Sequence, residues 1–213
     1  MATDLIVTDP LEPSAEAIDR AAALIRRGGI VAIPTDTLYT LVCDPLSLKA
    51  VGRIFAAKGR EANRALPLLV DGIVMAEELS TEPSARFFRL ARRFWPVPLT
   101  IITAGNARVP LKVTGNTGRL AMRQPRAAIP MALLEQFGQP LIGTSANLSG
   151  QPTCKSGIEV FGVMDGKVDL VLDGGPCAGP GATTIDITEP YWRIIRQGAI
   201  EEREIAAILK DTQ

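Results

Sequence analysis

The stretch "GGIVAIPTDTLYTLVCDP" (Gly28 to Pro45) decides how the chain is read. Its apolar run Ile30–Ile33 has the length and branching of a buried strand. At Pro34 the run breaks into a loop carrying the hydroxyls of Thr35, Thr37 and Tyr39 and the carboxylate of Asp36. Polar groups packed this closely after a buried strand are either turn chemistry or a binding site.

Outward from this stretch, residues 14–27 are expected to form a helix. Ser14 serves as N-cap, Ile18, Ala21, Ala22 and Ile25 share one face, and Gly28 and Gly29 stop it. Downstream, helices are expected at 47–57, 73–79, 84–95, 127–137, 156–163 and 201–210. Strands are expected at Leu66–Val70 and over 98–103, 119–123, 140–144, 168–173, 183–188 and 192–196. Helices and strands mix without strict β-α-β alternation, and the C-terminal strands lie close enough for hairpins. The expected class is therefore α/β (α+β), a mixed sheet with flanking helices. No linker or repeat divides the chain, so residues 1–213 are read as one domain.

Twenty-three basic residues balance twenty-three acidic ones, which argues against non-specific nucleic-acid binding. The start "MATDLIVTDPLEP" lacks a signal-peptide pattern and there is no apolar run of membrane-spanning length, so a cytoplasmic protein with no membrane association is expected. Cys43, Cys154 and Cys177 have no C-x-x-C spacing and read as structural or idle thiols. The chain has no histidine, which removes Ser-His-Asp and Cys-His chemistry and most catalytic zinc sites. What remains suits reactions driven by positioning and charge stabilisation, such as phosphoryl or nucleotidyl transfer.

Four further segments could carry chemistry. In "KGR", Lys58 and Arg60 would converge on one side of an extended segment as a polyphosphate clamp, or else cap a helix C-terminus. In "GTSANLSGQPT" (143–153), Ser145 and Asn147 repeat that two-residue spacing at the end of a strand, a pattern shared by crevice sites and ordinary turns. "GGPCAGPGATTID" (174–186) lacks the lysine of a Walker loop and reads as a lid, a pocket wall or a plain loop. Arg123 closes the strand "RLAMR" and needs an anionic partner if buried, either a ligand or an internal Asp or Glu.

Taken in order, "PTDTLY" (34–39), "KGR" (58–60), "FWPVPLT" (94–100), "RQP" (123–125), "GTSANLSGQPT" (143–153) and "IIRQGAI" (194–200) resemble the YrdC-type threonylcarbamoyl-AMP synthases, the TsaC family, in their short single-domain form. The resemblance implies a twisted mixed sheet around a positively charged cavity. It also implies a reaction joining L-threonine, bicarbonate and ATP into threonylcarbamoyl-AMP and pyrophosphate, with Mg2+ accompanying ATP. A tRNA threonylcarbamoyl transferase complex would consume the product, and contact with RNA or tRNA is a further implication. Carried over residue by residue, Thr35, Tyr39, Arg123, Ser145 and Thr183 would contact L-threonine. Lys58, Arg60, Asn147, Thr153 and Arg196 would contact ATP. No general acid or base and no metal ligand is assigned.

Thr40 and Val97 stand where that family usually has glycine, and Arg126 stands where it has an acidic or small polar residue. Two alternatives accompany the synthase reading. One is a non-catalytic module binding double-stranded RNA or tRNA on the same fold. The other is a YciO-like paralogue with weak synthase activity, although the "SAN" at 145–147 favours the synthase.

Overall fold

The computed structural model describes residues 2–177 and 179–210. Ten strands among these residues join in one twisted mixed sheet. They are β1 (Asp4–Val7), β2 (Val31–Ile33), β3 (Thr40–Cys43), β4 (Leu68–Leu69) and β5 (Leu99–Ala104), followed by β6 (Arg119–Arg123), β7 (Leu141–Ser145), β8 (Leu170–Asp173), β9 (Thr183–Asp186) and β10 (Arg193–Arg196). Their spatial order is β1-β8-β2-β3-β7-β4-β6-β5-β9-β10. Helices α1 (Ala15–Arg26), α2 (Leu48–Lys58), α3 (Ile73–Leu79), α4 (Ala85–Phe94), α5 (Ala128–Phe137), α6 (Gly157–Met164) and α7 (Glu202–Leu209) flank it.

Side-chain alternation along the strands feeds two separate cores. Val31 and Ile33 pack with α1 and α5, while Ile30 and Ala32 point to the opposite face. Leu69 and Leu68 divide in the same way. Helix α1 offers Ile18, Ala21, Ala22 and Ile25 to the first core, and the Ser14 hydroxyl accepts from Ala17 N at its start. On the second face lie α2, α3, α4, α6 and α7, with Phe87 and Leu90 of α4 fully enclosed. Burial of one such side chain stabilises the fold by about 1.5–3 kcal/mol.

Helices α1 and α5 cover only part of their face. Their core reaches Val42, Leu141 and Leu69 and stops there. Beyond it, the same face of β3, β7, β6 and β5 carries Thr40, Ser145, Arg123 and Thr100, which border a cavity instead of a helix.

Two strands lie outside the sequence reading. The loop after Pro34 ends at Thr40, where the chain re-enters the sheet as β3, antiparallel to both β2 and β7. At the edge, β1 pairs in parallel with β8, from Asp4↔Leu170 to Val7↔Asp173. The C-terminal hairpin is β9–β10, with a register shift between Ile194 and Arg196. Strand β8 instead runs parallel between β1 and β2.

Candidate active site

The loop between β2 and β3 is folded by its own hydroxyls. Thr35 Oγ1 accepts from Thr37 N (3.1 Å) and Leu38 N (3.2 Å) and lies 2.8 Å from Leu38 O. This is local turn chemistry, and it leaves Thr35 and Thr37 on the cavity wall. Tyr39 is placed differently from its expected position in the substrate pocket. Its side chain is fully buried and is not part of the cavity lining; its hydroxyl lies 2.9 Å from Asp173 Oδ1 and 2.7 Å from Gly175 O. Burial first, and then the Asp173 carboxylate, raise its pKa, so it stays a neutral tether.

Arg123 ends β6 beside this loop, and its anionic partner is internal. Nη2 pairs with Asp36 Oδ1, Nη1 donates to Thr37 Oγ1 at 2.9 Å, and Arg126 N donates to the same Asp36 oxygen at 3.2 Å. The two charged side chains are 9% and 11% exposed, so the pair is largely desolvated. Burial lowers the arginine's pKa while Asp36 opposes the shift. Arg123 remains a cation, because a guanidinium starts from so high a value.

Lys58 and Arg60 do not sit on an extended segment. Lys58 is the last residue of α2, Gly59 is its cap at φ 58°, and Arg60 N donates to Phe55 O at 2.9 Å. A left-handed cap favours glycine at that position. From there the two side chains diverge. Lys58 is 3% exposed and turned into the protein, where Nζ donates to Ser145 O, to Asn147 O (2.8 Å) and to Asn147 Oδ1 (3.2 Å). Burial, helped by Arg60, pushes the ammonium's pKa down to about 8. Arg60 reaches the cavity, where Nη2 donates to Ala65 O at 2.9 Å and Nη1 lies 3.5 Å from Thr144 Oγ1.

The Ser145–Asn147 turn is thus wrapped around a lysine. Ser145 Oγ donates to Asn147 Oδ1 at 2.6 Å, and Asn147 Nδ2 donates to Leu148 O (3.0 Å) and Gln151 O (2.6 Å). Ser145 faces the cavity, but the buried Asn147 does not line it. Thr153 is half-buried and also lies off the lining. Thr183 is fully buried; its hydroxyl lies 2.8 Å from Ile200 O and accepts from Gly198 N and Ile200 N, both at 3.0 Å. It fastens the segment after β10 and is not part of the cavity lining. Arg196 lines the cavity and donates through Nε to Ala182 O at 3.2 Å.

Five of the ten expected site residues therefore meet around one cavity of about 250 Å³: Thr35, Arg60, Arg123, Ser145 and Arg196. Thr37, from the hydroxyl loop that the sequence leaves open as turn or binding site, joins them, as do Thr40, Thr100 and Thr144, to which the sequence alone assigns no site role. For Thr100 the available signal was alternation, since it is a polar residue flanked by the apolar strand neighbours Leu99 and Ile101. The glycine-rich segment contributes Gly181 and Ala182 to the wall. At Gly179 a Cβ would lie 2.2 Å from Asp36 O, so only glycine permits that approach. Ala178 lies outside the described residues. Thr40 and Val97 avoid the left-handed backbone region, so glycine is not required at either.

Roomier hollows exist, one of about 450 Å³ near Leu46 and Val74 and one of about 600 Å³ near Tyr191 and Trp192, but neither gathers this set of hydroxyls and arginines. Among the described residues, no group of three or more Cys, Asp or Glu is arranged to hold a metal ion. No helix among them is long and apolar enough to cross a membrane.

A threonylcarbamoyl-AMP synthase of Pyrococcus abyssi is 37% identical over 190 residues, covering 89% of this chain and 56% of its own length. The crystal structure of Pyrococcus abyssi Sua5 complexed with L-threonine superposes with a TM-score of 0.93 at 35% identity, over 97% of this chain and 61% of that one. Escherichia coli YciO superposes at 0.87 with 27% identity, over 93% of this chain and 97% of its own. The chain therefore spans less than two thirds of the archaeal protein's length while matching nearly all of YciO. The Sua5/YciO/YrdC family model, described as "Telomere recombination", matches residues 23–198. Both the sequence match and the superposition place this chain in the Sua5/YciO/YrdC family, to which it belongs.

Proposed function

We propose that the protein is an L-threonylcarbamoyladenylate synthase, a nucleotidyltransferase that forms threonylcarbamoyl-AMP and pyrophosphate from L-threonine, bicarbonate and ATP. The observation that carries this reading is the convergence of Arg60, Arg123, Arg196, Thr35 and Ser145 on one cavity. The relatives named for that activity support it. Arg123 takes the threonine carboxylate, and the neighbouring hydroxyls of Thr35 and Thr37 orient the amino acid. Arg60 and Arg196 give the cavity a net positive charge and hold the triphosphate oxygens. At about 250 Å³ the cavity is smaller than a typical ligand pocket, so the nucleoside extends beyond its mouth.

In this reading the threonine amine and bicarbonate first give a carbamate with loss of water. A carbamate oxygen then attacks the α-phosphorus in line, the new O–P bond replaces the bond to the bridging oxygen, and pyrophosphate leaves. Mg2+ enters as part of the ATP substrate and supplies neutralisation of phosphate charge. The chain's own contribution is fixed donors and orientation, which such transfers chiefly require. Lys58 acts one step removed by holding the turn that presents Ser145, and Asn147 closes the same turn. Tyr39 and Thr183 brace the walls. The product is a reactive mixed anhydride, from which partner proteins in the cytoplasm transfer the threonylcarbamoyl group to tRNA with release of AMP.

Pyrophosphate release with each component withheld in turn tests the proposal. Release is expected only when ATP, Mg2+, bicarbonate and L-threonine are all present. Release that is indifferent to threonine contradicts it. Double-stranded RNA binding without turnover would favour the non-catalytic module.

A further inference from the structure

We propose that Asp36 makes the amino-acid end of the cavity selective for a zwitterion, an α-amino acid bearing both ammonium and carboxylate, over a plain carboxylic acid. The proposal rests on the reading that Arg123 receives the substrate carboxylate.

The Arg123–Asp36 pair is a half-made fork. Nη2 and Oδ1 are joined, and Thr37 takes Nη1. Arg123 Nε and Asp36 Oδ2 are buried and have no hydrogen-bond partner. Among the described residues these are the two buried side-chain polar atoms left in that state, and they belong to one ion pair, of which Arg123 lines the cavity and Asp36 stands directly behind it. Buried polar atoms are nearly always satisfied, so two orphans on facing groups point to partners that arrive from outside. One orphan is a donor on a cation and the other an acceptor on an anion. A single ligand offering a carboxylate and an ammonium on one carbon satisfies both.

Charge balance leads to the same ligand. Asp36 already neutralises Arg123, so a second carboxylate brought to that guanidinium meets a resident negative charge in a poorly solvated place. An ammonium carried by the same ligand and set against Asp36 restores alternating charge. A hydroxy acid can offer Asp36 at most a neutral hydroxyl donor and a simple anion none; neither brings a positive charge to offset the second carboxylate, and that mismatch is the source of selectivity. Asp36 lies between Thr35 and Thr37, which both line the cavity; its own side chain is buried just outside that lining, so its free oxygen must turn toward the cavity to meet a bound amine.

Calorimetry with L-threonine and with 3-hydroxybutanoate, the same skeleton without the amine, tests this on the wild-type protein and on Asp36→Asn. The wild type is expected to prefer threonine by at least tenfold. In Asp36→Asn, threonine binding should weaken about tenfold while 3-hydroxybutanoate binding holds or tightens, because the repelling charge is gone and the side-chain shape is kept. An unchanged preference in the variant overturns the proposal, since a merely structural Asp36 would weaken both ligands alike. If Asp36→Asn fails to melt cooperatively, the wild-type comparison decides, and equal affinity for the two ligands overturns the proposal. Wild-type protein that binds neither ligand overturns the amino-acid reading of the cavity, and the proposal falls with it.

Discussion

Arg123 and Lys58 are both buried cations, yet they answer to different needs. Arg123 is matched by one carboxylate and keeps a donor in reserve, so Arg123→Ala removes a ligand contact and strands Asp36. A charge-assisted bond contributes roughly 1.5–3 kcal/mol, which sets the expected loss of threonine affinity at about ten- to hundredfold. Removing one partner of a buried pair also destabilises by about 3–5 kcal/mol, so the melting temperature should fall as well. Calorimetry and a thermal scan check both effects; a lower melting temperature with unchanged affinity would make Arg123 purely structural. Lys58 is matched by three oxygens of the turn it supports. A cation on an exposed loop could be deleted at little cost to stability, but this one is enclosed. Lys58→Met should destabilise by about 1–3 kcal/mol through unpaired acceptors. Its pKa, pushed down to about 8 from 10.5, gives this residue a signature in pH. Between those values the unfolded chain holds a proton that the folded chain has released, so the Lys58 contribution to stability rises with pH across that window. Cys43, pushed up to about 12 from 9.0, acts in the opposite sense, which is why the comparison must be between wild type and variant. Urea denaturation at pH 7.5 and 10 should show the wild type gaining on Lys58→Met; a pH-independent difference contradicts the assigned shift.

At the scale of elements, what was legible in the sequence was whatever declares itself locally. Helix α1 announces its start at Ser14 and its end at Gly28, and the structure follows both signals. Strand β3 was obscured because "TLVC" follows a polar loop closely, and its identity as a strand depends on β7, about a hundred residues downstream. Strand β1 is short, largely exposed and paired with residues 170–173, so nothing near it marks it as a strand. The K-x-R element shows the same limit. Spacing alone allowed either an extended clamp or a helix cap, and the stripe of α2, which runs on through Lys58 to the Gly59 cap, decides for the cap. The glycine-rich segment was legible as a wall or lid, but the closeness of Gly179 to Asp36 was not. Gly179→Ala places a methyl against a carbonyl and should force that segment away, at a cost of about 1–3 kcal/mol. It should also weaken threonine binding, because Asp36 and Thr37 move with the contact. Wild-type stability and affinity in this variant would show that the segment can yield freely.

Across the whole molecule, the cavity exists because the helical cover on one sheet face ends at Leu69. Residues distant in sequence, from Thr35 to Arg196, meet in that uncovered region only through a strand order in which β3, β7, β4, β6, β5 and β9 are consecutive neighbours. The ordered motifs made a shared site legible. They could not separate residues lining the cavity from those bracing its walls, since Ser145 and Asn147 carry equally suitable side chains and only the buried Lys58 tells them apart. The central claim is that this cavity joins threonine, bicarbonate and ATP. Its most direct test is mass spectrometry of the reaction with 13C-bicarbonate. The account predicts threonylcarbamoyl-AMP heavier by one mass unit than the product from unlabelled bicarbonate, formed only with threonine, ATP and Mg2+ present. ATP consumption that yields no labelled threonylcarbamoyl adduct would contradict it.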